Sequence, residues 1–196
     1  MPIETIKTKR SRFRLLFILY WKSYCISDII QKINRRALRM DWMKETAEQL
    51  PAGAFLMVKG NPMTIGWGQF GVLWGRPTFT VYVRRSRFTH ALLDGCETFT
   101  VSVPHKGTMR KELAFCGSKS GRDVNKTEAL NASLFHNLFG AQDGFGGCRY
   151  HIECRILSRS DLDESKMEDE TLLKRYYPSG DSHTMYVGEI LGVTEE

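Results

Sequence analysis

A chain of 196 residues is long enough for the core of one ordinary domain, and two full domains are not expected. Hydrophobic residues make up 42% and charged residues 26% of the chain, a composition typical of globular rather than disordered or fibrous proteins. The net charge of +6 is uneven, because residues 1–39 carry +8 and residues 40–196 carry −2. Charge therefore gives no reason to predict a nucleic-acid partner for the folded part.

Residues 1–39 form a basic N-terminal extension with two interpretations. The apolar run at residues 15–21 is far shorter than the roughly 20 residues of a membrane span, and no small-residue cleavage site follows it. Isoleucines at positions 26, 29, 30 and 33 recur at helical spacing opposite basic residues, so membrane contact through a surface helix is one interpretation. We favour the other, in which Met40 is the true start and the domain comprises residues 40–196.

From Met40 onward the pattern is mostly β. Helices are predicted at residues 41–49, 86–93 (capped near Arg85 or Ser86) and 109–115, with one more short helix within a loop at residues 125–147. Strands are predicted at residues 54–59, 63–74, 78–83, 98–103, 150–158 and 183–193, with a turn at Gly75-Arg76-Pro77 and a solvated segment at residues 161–170. Short strands with few helices favour a small barrel or sandwich over a doubly wound sheet.

The five cysteines are scattered and form no C-x-x-C pair, and the five histidines show no zinc-site spacing. No metal site is therefore predicted, and Cys154 is interpreted as a core residue. An odd, dispersed set of thiols suits a reducing compartment, so a cytoplasmic location is expected.

Three polar segments are candidates for ligand binding. The first, N-P-M-T-I-G-W-G at residues 61–68, places bare glycine backbone beside Trp67 and suits a planar ring, although curvature of a plain barrel strand explains the glycines equally well. The second, R-R-S-R-F-T-H at residues 84–90, offers arginines and hydroxyls at a helix start, where phosphate binds well. The third, C-G-S-K-S-G-R-D at residues 116–123, lacks the Walker A spacing but offers a lysine; taken alone, it is more simply an exposed turn.

Taken in order, these segments resemble the flavin reductase-like, FMN-binding split-barrel family (flavoredoxin-like proteins). The resemblance covers residues 40–196 and is also carried by K-E-L-A-F before the third segment and by H-T-M-Y-V-G-E-I at residues 183–190. It implies a mainly β fold, an antiparallel six-stranded split barrel with a few short flanking helices, which binds FMN as a homodimer.

The resemblance also implies roles for particular residues. Ring-side contacts fall on Asn61, Thr64 and Trp67, and the intervening Met63 and Ile65 are also expected to bind the cofactor. The phosphate and ribityl side falls on Arg84, Ser86, Arg87 and Thr89. Lys119, with Ser120 beside it, resembles the cation next to the ring, and His183 resembles a catalytic residue near the open flavin face.

The activity implied is NAD(P)H-linked flavin reduction, or electron transfer through bound FMN to an acceptor that the sequence does not identify. FMN as a diffusible substrate, a pyridoxamine-phosphate-oxidase-like enzyme on a similar barrel, and a non-enzymatic flavin-binding module remain alternatives. No G-x-G-x-x-G fingerprint is present, so a dedicated dinucleotide-binding domain is not expected.

Overall fold

A computed structural model describes residues 40–196; the predicted basic extension lies outside the described residues. Two short 3-10 turns, Leu50–Ala52 and Glu164–Lys166, accompany the regular elements. The helices are α1 (Met40–Gln49), α2 (Phe88–Asp94), α3 (Arg110–Ser118), α4 (Lys126–Ala129) and α5 (Glu170–Tyr176). The strands are β1 (Ala54–Val58), β2 (Asn61–Ile65), β3 (Gly68–Leu73), β4 (Arg76–Arg84), β5 (Thr98–Val103), β6 (Leu134–Phe135), β7 (Gly144–Phe145), β8 (Tyr150–Asp161) and β9 (His183–Glu195).

Seven strands form one antiparallel sheet in the order β2-β1-β5-β8-β9-β4-β3, and β6 pairs with β7 in a separate small hairpin. The mainly β, antiparallel prediction with a few helices is confirmed. The count of six strands is wrong, because the sheet has seven and ends at two edges, β2 and β3. The seventh strand arises where the predicted strand at residues 63–74 divides: β2 ends at Ile65 and β3 begins at Gly68, with Gly66 and Trp67 between them.

The core covers both faces of β1, which explains why its sequence is continuously apolar. Leu56 and Val58 pack in the main core, whereas Phe55 and Met57 on the opposite face pack against Leu113 and other side chains of α3 and β7. All five β1 side chains are fully buried. A strand buried on both faces reads as an apolar run rather than as an alternation. Cys154 is also fully buried, as predicted.

One turn and one helix start assigned from the sequence were wrong in detail. The hairpin between β3 and β4 turns at Trp74 and Gly75, with φ of 52° and 70°, and Pro77 already pairs with Val72 within the strands. A two-residue turn with both φ values positive matches the twist of a hairpin, which a Gly-Arg-Pro turn does not provide. The helix predicted from Ser86 begins at Phe88, with Arg87 as its N-cap.

Residues 161–170 are mostly exposed, as predicted, but they also contain regular structure. They include a 3-10 turn and the start of α5, whose N-cap Asp169 accepts bonds from the amides of Thr171 and Leu172. None of the helices in residues 40–196 is long and apolar enough to cross a membrane.

Candidate functional site

A recess of about 160 Å³ opens between the start of α2 and the loop that follows α3. We call it the cationic recess, because its lining includes four basic side chains and no carboxylate. Its walls are formed by Met63, Ser86, Arg87, Phe88, Thr89, Cys116, Ser118, Lys119, Ser120, Gly121, Arg122 and Lys126. Hydroxyl groups and cations without an acid among them suit an anion such as phosphate.

Two hydrogen bonds hold the walls of the cationic recess together. Arg87 Nη1 donates to the carbonyl of Gly117 at 3.0 Å, and Arg122 Nη1 donates to the carbonyl of Ser86 at 3.2 Å. The Arg122 guanidinium also lies over the Phe88 ring, 5.5 Å from its centroid. Each arginine therefore crosses from one wall to the other, and the two segments identified in the sequence are brought into contact.

Gly121 explains how closely these walls approach. A Cβ at this position would overlap the amide of Asn61 and lie 2.7 Å from the Phe88 ring, so only glycine fits without movement. Asn61 itself donates from Nδ2 to Thr89 Oγ1 at 3.0 Å. The structure thus places Asn61 against the α2 wall rather than with Trp67 at the predicted ring side; it lines a further, wider recess of about 500 Å³ beyond Arg122.

A second recess of about 160 Å³ adjoins the first, and the two share Met63 and Arg87. We call it the aromatic recess, and its other lining residues are Thr64, Ile65, Gly66, Trp67, Tyr82, Arg84 and His183. Trp67 is 40% exposed and packs between Tyr176 and His183, with ring centroids 5.1 Å and 4.9 Å away. This lining also contains no carboxylate, and its aromatic surface suits a planar ring.

Two side chains predicted to contact a ligand already have partners in the protein. Thr64 Oγ1 donates to the carbonyl of Leu113 at 2.6 Å, which ties β2 to α3. Arg84 donates from Nη1 to the carbonyl of Asp181 at 2.6 Å and from Nη2 to that of Tyr176 at 2.8 Å. Arg84 lines the aromatic recess rather than the cationic one. Its two hydrogen bonds anchor the segment before β9 at this recess.

Ser86 is similarly engaged at the edge of the cationic recess. Its hydroxyl donates to Asp181 Oδ2 at 2.6 Å, and its backbone amide donates to Oδ1 at 3.1 Å. These bonds, with the charge of Arg84, hold the pKa of Asp181 below its usual value even though burial opposes that shift. Asp181 was not predicted from the sequence, since it lies 95 residues from Ser86 and only the fold joins them.

His183 is a neutral imidazole in this setting. Burial, and then the positive charge of Arg84, lower the pKa of His183 to about 4. Its Nδ1 lies 2.9 Å from the hydroxyl of Tyr177, whose own pKa is raised by burial. Both groups are therefore uncharged near pH 7, and a Tyr177 hydroxyl that donates to Nδ1 leaves the ring proton on Nε2.

The structure brings most of the predicted site residues together, but it divides them between the two recesses differently from what the resemblance implied. Lys119 and Ser120 line the cationic recess with Ser86, Arg87 and Thr89, and not the aromatic recess with Trp67 and His183. Sequence reasoning missed Ser118, Arg122, Lys126, Tyr177 and Asp181. The first two stand within the quoted segment at residues 116–123, so their hydroxyl and guanidinium groups were available as a signal.

Comparison with known proteins identifies the family of this chain. Residues 44–196 match the flavin reductase like domain family. A protein of Archaeoglobus fulgidus is 31% identical over 148 residues, which cover 74% of this chain and 72% of that protein. Flavoredoxin from Methanosarcina acetivorans is 26% identical, with a TM-score of 0.55 over 74% of this chain and 68% of its own. An FMN-binding protein from Thermus thermophilus, solved with bound 1-cyclohex-2-enone, is 25% identical, with a TM-score of 0.57 over 74% and 70%.

The antiparallel sheet with its adjoining cationic and aromatic recesses defines a mainly β domain of the flavin reductase-like fold. The chain belongs to the flavin reductase-like family, as the resemblance in its sequence predicted.

Proposed function

We propose that this protein is an FMN-binding oxidoreductase. The observation that carries the proposal is the pairing of a cationic recess with an aromatic one across Met63 and Arg87. A flavin mononucleotide has the same two-part chemistry, with a dianionic phosphate at one end and a planar, largely apolar ring at the other. The relatives described as flavoredoxin and as an FMN-binding protein support this choice of ligand.

The residues present fit the phosphate end. Arg87, Lys119 and Arg122 supply positive charge, and Ser120 and Thr89 supply hydroxyl groups around the same recess, whereas the Ser118 hydroxyl already donates to the carbonyl of Ala114 at 2.8 Å. The close approach permitted by Gly121 brings Lys119, Ser120 and Arg122 to the start of α2, where Arg87 and Thr89 lie. Charge-assisted hydrogen bonds of this kind are the strong ones in phosphate recognition.

The aromatic recess fits the ring end. Met63 and Ile65 are buried apolar side chains, and Trp67 presents a partly exposed aromatic surface beside them. Gly66 leaves its backbone uncovered, since the only atom near a Cβ there would be the carbonyl oxygen of Leu50 at 3.6 Å. These residues would orient the ring and exclude water from one of its faces.

When bound, FMN would supply the redox chemistry, accepting a hydride equivalent from NAD(P)H and passing electrons to an acceptor that remains to be identified. The chain's own contribution is positioning and electrostatics. His183 gives the aromatic recess an uncharged hydrogen-bonding group, and Arg84 places a fixed positive charge at its wall. A reaction that begins with hydride transfer needs no carboxylic acid as proton donor, and none lines the aromatic recess.

The visible spectrum of freshly purified protein tests the proposal. We expect two flavin absorption bands and release of FMN, identified by its phosphate, on heating. Anaerobic mixing with NADH and then with NADPH would bleach the bands if a nicotinamide is the donor. Protein that purifies without flavin and binds no added FMN would contradict the proposal, and bleaching by neither nucleotide would restrict it to electron transfer or flavin binding.

We further propose a homodimer that forms through the β3 tip, which comprises Val72, Leu73 and Trp74. Val72 is 77% and Trp74 65% exposed, and β3 is an edge of the sheet. Large apolar side chains grouped on an open edge strand are characteristic of association surfaces.

A further inference from the structure

Lys126, the first residue of α4, is buried in the wall between two recesses. Only 4% of its surface is exposed, whereas Lys119 and Arg122 in the neighbouring loop are exposed. Its Nζ donates to the carbonyl of Pro62 at 2.8 Å and to that of Cys116 at 3.1 Å. An ammonium group has three N–H donors, so these two carbonyls leave one for a further acceptor.

The charge of Lys126 has no acidic partner in residues 40–196. None of the ion pairs there involves this side chain. The neighbouring thiol cannot serve as counter-charge, because burial raises the pKa of Cys116 to about 11 and keeps it neutral. A buried ammonium paired only with carbonyls is costly, and an anion beside it would offset that cost.

The phosphate proposed to bind in the cationic recess would be such an anion. Lys126 and Cys116 both line the cationic recess, as does Met63, which follows Pro62 in β2. We infer that Lys126 is a phosphate-binding residue, the buried positive charge that neutralises the FMN phosphate. This inference rests on the proposed function, and it adds to the exposed cations a charge that no sequence motif indicated.

A buried charge differs from an exposed one in its response to salt. Salt largely screens interactions between exposed charges that are separated by more than about 10 Å at 0.1 M and more than about 3 Å at 1 M, whereas buried pairs are screened much less. The contribution of Lys126 to FMN affinity should therefore persist at high salt, while that of Lys119 should fade.

The experiment compares FMN and riboflavin binding by wild type, Lys126→Met, Lys126→Arg and Lys119→Met at low and high salt. We expect Lys126→Met to weaken FMN by about tenfold or more, equivalent to roughly 1.4 kcal/mol, at both salt concentrations, with riboflavin nearly unchanged. Lys126→Arg keeps the charge and should retain most of the affinity. A loss that is equal for FMN and riboflavin, or FMN affinity within about twofold of wild type in Lys126→Met, would overturn the inference.

If the variants fail to fold, a second measurement on the wild type tests whether Lys126 binds the phosphate. In lysine-labelled protein, the Cε resonance of Lys126 should shift on titration with FMN and with inorganic phosphate, but little with riboflavin. No shift with either phosphate-bearing probe would refute the inference even though the protein binds flavin. Wild-type protein that binds no flavin at all would instead remove the proposed function, so the two failures are distinct.

Discussion

The hydroxyl of Tyr177 lies 2.9 Å from Nδ1 of His183; both side chains are buried, and His183 lines the aromatic recess. Arg84 lies over the Tyr177 ring at 5.3 Å and donates to the carbonyls on either side of it, those of Tyr176 and Asp181. A fixed cation and a buried hydroxyl therefore surround the imidazole, and protonation of His183 would place a second positive charge among them.

Acid should destabilise the protein through His183. The pKa of His183 falls from its ordinary 6.5 to about 4 on folding, so the unfolded chain binds more protons between these values. Stability is then complete above about pH 6.5 and declines toward pH 4, by at most roughly 1.4 kcal/mol per pH unit from this one group. Urea unfolding at a series of pH values would measure the slope.

The control for this prediction is His183→Gln, which cannot titrate. Burial also lowers the pKa of His151, so that residue contributes acid sensitivity of the same sign in both proteins. The difference between wild type and variant isolates His183. Equal slopes between pH 4 and 6.5 would mean that His183 titrates normally and that the recess is wetter than its burial indicates.

Arg87→Ala should weaken FMN more than riboflavin. Arg87 lines both recesses and bridges the walls of the cationic recess through the Gly117 carbonyl. Loss of a hydrogen bond to a charged group costs about 1.5–3 kcal/mol, and we expect FMN affinity to fall by that amount. Fluorescence titration with both ligands provides the measurement.

A matched control for Arg87 is Arg76→Ala, which removes an arginine paired with Glu189 on the exposed side of β4. This variant should bind FMN like wild type. Equal losses of riboflavin and FMN affinity in Arg87→Ala would show that the arginine acts by supporting the recess walls instead of by holding phosphate.

The sequence was sufficient for most strands of the main sheet and for the segments that line the two recesses, because both depend on local pattern. The apolar run of β1 and the alternation of β5 were visible directly, and residues 98–103 were assigned with their correct ends. What the fold adds is the partner of each polar group. Ser86 bonds to Asp181 across 95 residues, and no local pattern indicates that its hydroxyl is already engaged.

The burial of Lys126 also could not be predicted from local sequence. In the sequence N-K-T-E it resembles an ordinary solvated lysine at a helix start, and only the packing of α4 against β2 buries it. The division of the strand at residues 63–74 was equally hidden, since glycine within a strand is compatible with a bulge, a bend or a break.

Trp74→Glu should dissociate the proposed dimer. A charge placed on the β3 tip would have to be desolvated within an apolar interface, which is costly without a partner. We expect light scattering after gel filtration to show a dimer for the wild type and a monomer for the variant. Leu138→Glu is a matched control, because Leu138 is 64% exposed, close to the 65% of Trp74, but lies in the loop before β7. A monomeric wild type, or a Trp74→Glu protein that remains dimeric, would contradict this assignment.

Lys119→Met should change FMN affinity and leave the flavin midpoint potential almost unchanged. The resemblance in the sequence implied a cation beside the ring, but Lys119 lines the cationic recess with Ser118 and Ser120 and not the aromatic one. At an effective dielectric of about 20 a charge pair at 4 Å is worth about 4 kcal/mol, and exposure of the Lys119 ammonium reduces this to a fraction. We therefore expect FMN binding to weaken by a few-fold to about tenfold at low salt.

Redox titration of the bound flavin in Lys119→Met distinguishes the two positions. A cation next to the ring would contribute tens of millivolts, since about 30 mV corresponds to 1.4 kcal/mol for two electrons. Lys111→Met, which removes an exposed charge on α3 outside both recesses, serves as the control and should alter neither quantity. A potential that drops by about 30 mV or more with little loss of affinity would place Lys119 at the ring. If neither quantity changes, Lys119 is a solvated turn residue, and the positive charge that neutralises the phosphate comes from Arg87, Arg122 and the buried Lys126.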